Sequence, residues 1–186
     1  MYQKKLDFSH FLYSFYVRIS EKFQRRRDII YDRQKAVAYS NAWWDKRNPK
    51  YPSFDNDCTN FISQCLLEGG FKQQFSQYRH EGWWLLPNHT NWSFSWSVAH
   101  SLRWYLILSG RGVEVDTPDS LSVGDIIFYD FDGNGAFQHS TIIVEKNSTS
   151  ILVNAHTSDS FYRDYLYTDS TAYTPNIKYS YVKIVN

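Results

Sequence analysis

The feature that most constrains this chain is a change of hydrophobic period at Gly110. Before it, apolar residues recur at helical spacing; after it, short runs rich in Val, Ile and Tyr alternate with turn residues. The first part predicts helices over residues 32–47, closed by Asn48-Pro49, over 58–68, closed by Gly69-Gly70, and over 95–108. Residues 71–94 read as irregular and aromatic. The second part predicts strands over 113–115, 125–130, 140–145, 150–156 and 179–185. Helices first and strands afterwards imply an α+β domain, with N-terminal helices packed on an antiparallel β-sheet.

Residues 7–27 place Phe8, Phe11, Leu12, Phe15, Ile19 and Phe23 at helical spacing, ahead of Arg25, Arg26 and Arg27. This predicts an amphipathic helical extension over 1–27, docked on the domain or on a partner chain, and a main domain over 28–186. The 186 residues suit one domain plus such an extension. A net charge of +1 gives no reason to expect a nucleic-acid partner. No apolar run is long enough for a transmembrane helix, and no signal peptide is legible, so a cytoplasmic location is expected. Aromatic residues make up 19% of the chain. They form either a core of large rings or a groove for flat ligands such as sugars.

The two cysteines are Cys58 and Cys65. Seven residues apart on one helix, their Cα atoms lie about 10 Å from each other, too far for a disulfide. Asp57 is a favourable N-cap residue, which makes Cys58 the first residue of its helix. There the helix dipole favours thiolate, and free backbone N–H groups can hold an oxyanion. Asp57 is expected to cap those N–H groups and not to face the sulfur. Cys65 falls in the apolar stripe with Phe61, Ile62 and Leu66 and reads as core.

A nucleophilic thiol needs a base, and the base an orienting partner. His139 opens one predicted strand and His156 closes the next. Pairing Glu145 with Ser150 around a two-residue Asn147-Ser148 loop sets His139 opposite His156. A register two residues away would set Asn154 there instead.

The stretch YDRQKAVAYSNAWWDKRNPKYPSFDNDCTNFISQCLLEGGF resembles the amidase-domain family of bacilli and their relatives. So do SWSVAHSLRWYL, VGDIIFYDFDGNGAFQHSTIIV and VNAHTSD; the similarity covers roughly residues 31–160. The resemblance implies a papain-like cysteine hydrolase, related to the NlpC and CHAP groups of bacterial cell-wall enzymes. It implies a Cys at a helix start, a His at a strand start and a polar residue on the next strand. Those roles fall on Cys58, His139 and His156. Members commonly carry Asp where this chain has Gln138. The implied substrate is an amide or peptide bond, such as those of peptidoglycan, and the implied chemistry needs no cofactor.

Three alternatives accompany this reading. Asp130, Asp132 and Asn134 in DFDGNG match the start of a calcium loop, although Thr141 stands where a bidentate Glu belongs. The same residues also suit a tight turn. Cys58, His139 and His156 are donor types that would suit zinc. A non-catalytic module of the same fold would bind glycan or peptide through the Trp-rich loops.

Overall fold

Asp32 accepts the Lys35 N–H at 3.0 Å and so caps the first helix, α1, Arg33–Trp43. This computed structural model describes residues 31–185; the expected extension over 1–27 lies outside the described residues. Helix α1 stops short of the predicted 47. The Trp43 carbonyl, which a longer helix would offer to the Arg47 N–H, accepts instead from His156 Nε2 at 2.8 Å.

Helix α2, Cys58–Glu68, has the predicted bounds, and Cys58 through Leu66 are all buried. Its end is set by Gly70, whose φ of 100° lets the Phe71 N–H turn back to the Leu66 carbonyl. The predicted helix over 95–108 is two, α3 (Phe94–Ser97) and α4 (Ala99–Leu108), broken at extended Val98. Ser63 Oγ donates to the Trp96 carbonyl at 2.9 Å, withdrawing it from the helical ladder at that point.

Six strands follow: β1 (Gly112–Val115), β2 (Ile126–Asp130), β3 (His139–Lys146), β4 (Ile151–Ala155), β5 (Ser160–Asp164) and β6 (Lys178–Ile184). They form one antiparallel sheet in the order β1-β6-β2-β3-β4-β5. The α+β expectation therefore holds. Strand β5 had no counterpart in the sequence reading. Its burial does not alternate, and a bulge at Phe161-Tyr162 interrupts its pairing with β4.

One sheet face meets the helices. Arg33 of α1 donates to Asp125 and to the carbonyls of Val123 and Ile184, and Arg103 of α4 donates to Ser180. The other face carries a second core of Leu121, Ile127, Tyr129, Ile143, Val153 and Tyr167. Trp83, Trp84 and Trp96 are buried, so much of the aromatic content is core, not exposed loop.

The β3–β4 register corrects the expected histidine pairing. The Asn147 carboxamide accepts the N–H groups of Thr149 and Ser150, making a four-residue loop that pairs Lys146 with Ile151. A bulge at Val144 then slips the register by one, to Ile143 opposite Val153. A one-residue slip changes which face each side chain takes. His139, beside Tyr129, falls on the second-core face, and His156 falls on the helix face.

Candidate active site

Helix α2 begins where β3 begins, and the two starts share a pocket of about 260 Å³. Its lining includes Cys58, His139, Thr157, Ser158, Arg163 and Tyr167. Backbone strain concentrates here. Of the five non-glycine residues with positive φ among the described residues, Thr157 (60°), Ser158 (34°) and Tyr167 (56°) line this pocket. Such strain persists only where surrounding contacts enforce it, and it clusters at functional sites.

Cys58 is 5% exposed, and its thiol lies 3.7 Å from Thr59 Oγ1 and 3.9 Å from the Gln138 carbonyl. Burial pushes the thiol up, and hydrogen bonds from Thr59 and Ser140 recover only part of that. The expected thiolate at the helix start is thus opposed by desolvation that the sequence does not display. Among the described residues no hydrogen bond joins Cys58 to His139 in this resting arrangement. Cys65 is fully buried in the core, as expected.

His139 is held down to about 3, first by burial and then by the Arg163 charge, so its ring is neutral at pH 7. Its Nε2 lies 3.0 Å from the Tyr167 hydroxyl. Tyr167 donates to Ser160 Oγ at 3.2 Å, and Ser160 donates to the Ser158 carbonyl at 2.8 Å. The Arg163 guanidinium stacks 4.0 Å from the centre of the Tyr167 ring and pairs with Asp169 at 2.9 Å.

The other predicted site residues lie elsewhere. Asp57 precedes the helix but does not cap it with its side chain. Its carboxylate accepts from His156 Nδ1 at 2.6 Å, from Asn60 Nδ2 at 2.8 Å and from the Phe54 N–H at 3.1 Å. Arg47 lies 3.1 Å from the same carboxylate. Turning toward these donors leaves the first N–H groups of α2 without a side-chain cap. His156 stacks on Phe61 at 3.9 Å, and its two ring nitrogens are taken by Asp57 and the Trp43 carbonyl. It therefore makes no contact with His139 of the kind the sequence suggested.

Asn154 is fully buried. It donates to Ser40 and Asn41 of α1 and accepts the Tyr162 N–H that the β5 bulge leaves out of the ladder. That is a structural junction, away from the His139 ring.

The metal alternatives also change. The Asp130 carboxylate accepts the N–H groups of Gly133, Asn134 and Gly135, Asn134 accepts from Ala136, and Asp132 accepts from Gln138. These oxygens serve a tight turn, not a calcium cage. Cys58, His139 and His156 cannot converge on zinc, because the sheet separates the two rings. Among the described residues no cluster of three or more His, Cys, Asp or Glu side chains suits a metal. No helix among them is long and apolar enough to cross a membrane.

The sequence reading missed Tyr167, Ser160 and Arg163. All three lie on or just after β5, the strand it did not find.

The fold and site thus define an α+β domain in which a helix-start thiol and a strand-start imidazole face one pocket. The chain belongs to the family described as "Putative amidase domain", whose pattern matches residues 30–182. That description ties the family to amide hydrolysis. Two Bacillus subtilis (strain 168) proteins are similar. "Uncharacterized protein YhbB" is 48% identical over 164 residues, 86% of this chain and 52% of that protein. "Uncharacterized protein YjcM" is 24% identical over 144 residues, 69% of this chain and 31% of that protein. The chain thus spans about half the length of the first relative and about a third of the second. No solved structure matches it.

Proposed function

We propose that this chain is a papain-like cysteine hydrolase of an amide or peptide bond, with Cys58 as nucleophile and His139 as base. The observation that carries this reading is the convergence of a helix-start thiol and a neutral imidazole on one strained pocket. His139 Nδ1 makes no hydrogen bond among the described residues. It is the ring atom free to take the thiol proton.

In the proposed reaction Cys58 rotates from the Gln138 carbonyl toward the imidazole, since catalytic contacts of this kind tighten when substrate binds. The Sγ proton passes to His139, and sulfur attacks the carbonyl carbon. The oxyanion meets the uncapped N–H groups at the start of α2. The C–N bond breaks as His139 returns its proton to the leaving amine, leaving a thioester. Water, deprotonated by His139, attacks the thioester and releases the acid and the thiol. His156 and Asp57 serve this reading by fixing the chain around Cys58, not by touching the base.

Peptide bonds of peptidoglycan fragments are the first substrates to try, following the resemblance to cell-wall enzymes. The test is hydrolysis of such fragments and of simple peptide amides, followed by mass spectrometry. Cys58→Ala is expected to cut turnover by at least about a thousandfold with the fold intact. Unchanged turnover in Cys58→Ala would remove the thiol from the chemistry.

A further inference from the structure

The chain Ser158 carbonyl, Ser160, Tyr167, His139 has one consistent direction for its protons. A carbonyl cannot donate, so the Ser160 hydroxyl spends its only proton on Ser158 at 2.8 Å. Facing Ser160, the Tyr167 hydroxyl must therefore donate, which it does at 3.2 Å. Arg163 Nη1, 3.4 Å from the same Ser160 oxygen, is another donor and reinforces that polarity. Tyr167 then has only lone pairs left for the His139 Nε2 atom at 3.0 Å. A neutral ring has one N–H, and this arrangement assigns it to Nε2.

We propose that Tyr167, directed by Ser160, is the positioning residue that holds His139 as the Nε2–H tautomer and turns the Nδ1 lone pair toward the pocket shared with Cys58. This rests on the reading of His139 as the base for Cys58. It supplies the orienting partner that His156 and Asn154 do not. The phenol suits the role because its ring is clamped between Tyr129, 4.9 Å away by centroids, and the Arg163 guanidinium. Burial also keeps it protonated. The relay comes from a segment nearly thirty residues past His139, and it moves no net charge into the site.

Two readouts test it on the full chain with nitrogen-15-labelled histidine, His139 being assigned by its absence in His139→Gln. At pH 7 the ring is expected to show its proton on Nε2. Tyr167→Phe keeps the ring packing and is expected to redistribute that proton between the two nitrogens. It should also slow alkylation of Cys58 by at least about tenfold. Ser160→Ala, which removes the acceptor, frees the Tyr167 proton to point at Nε2 and should shift His139 toward the Nδ1–H tautomer. That second variant keeps the proposal falsifiable if Tyr167→Phe does not fold. An Nδ1–H ring in the unaltered protein overturns the proposal. So does a tautomer unmoved in a folded Tyr167→Phe or Ser160→Ala protein. The tautomer can be read whether or not Cys58 reacts, so an inert thiol would sink the hydrolase reading while leaving this one standing.

Discussion

His139 sits in the second core with 5% of its surface exposed, and burial there acts against its charged form. Its folded value of about 3 lies below the ordinary 6.5, so the folded protein binds the proton more weakly than the unfolded chain does. The sign follows: the stability this group confers is complete above about 6.5 and is lost as pH falls toward about 3, at about 1.4 kcal/mol per unit of depression. We predict that urea unfolding of the unaltered protein weakens steadily between about pH 6.5 and 4.5, before most carboxylates titrate. In His139→Gln that slope should be clearly shallower, and equal slopes would show that the ring is not held neutral by burial. At this scale the sequence was informative. It separated Cys58 from Cys65 by helix position and picked His139 from its place at a strand start. It could not show that the Asp57 carboxylate would leave the first backbone N–H groups of α2 uncapped, because the side chains of Arg47, Asn60 and His156 converge on it only in the folded chain.

At the scale of elements, the bulges decide which residues meet. The one at Val144 in β3 sends His139 and His156 to opposite faces. The one at Phe161-Tyr162 in β5 is held by the Asn154 side chain. Asn154→Ala would leave the Tyr162 N–H without that partner and would remove two bonds to α1. We expect a loss of about 2–3 kcal/mol in unfolding free energy. Activity should also fall, because β5 carries Ser160 and leads to Tyr167; wild-type stability in this variant would show that the junction is dispensable. Strand and helix positions were mostly legible from apolar periodicity, and α2 was legible to the residue. The register was not. A two-residue turn was the simplest reading, but the Asn147 side chain builds a longer one and a bulge then adds a residue, neither of which leaves a mark in the hydrophobic pattern.

Over its described residues the domain is a six-stranded sheet with a helical layer on one face and a tyrosine-rich core on the other. The pocket lies where the ends of α2 and β3 come together, so the Cys58 thiol reaches it from one layer and the His139 imidazole from the other. The two cysteines, about two turns apart on one face of α2, have different prospects because of where the helix begins: Cys58 opens on the pocket, whereas Cys65 is enclosed by the helical layer. The most direct measurement is the alkylation of each cysteine in the folded protein by iodoacetamide between pH 5 and 8, read by mass spectrometry. Cys58 is expected to be labelled well ahead of Cys65, at a rate that climbs with pH because burial keeps the resting thiol protonated, and His139→Gln is expected to slow it by at least about tenfold at pH 7. Labelling of Cys58 no faster than Cys65, or at a rate indifferent to His139→Gln, would contradict it.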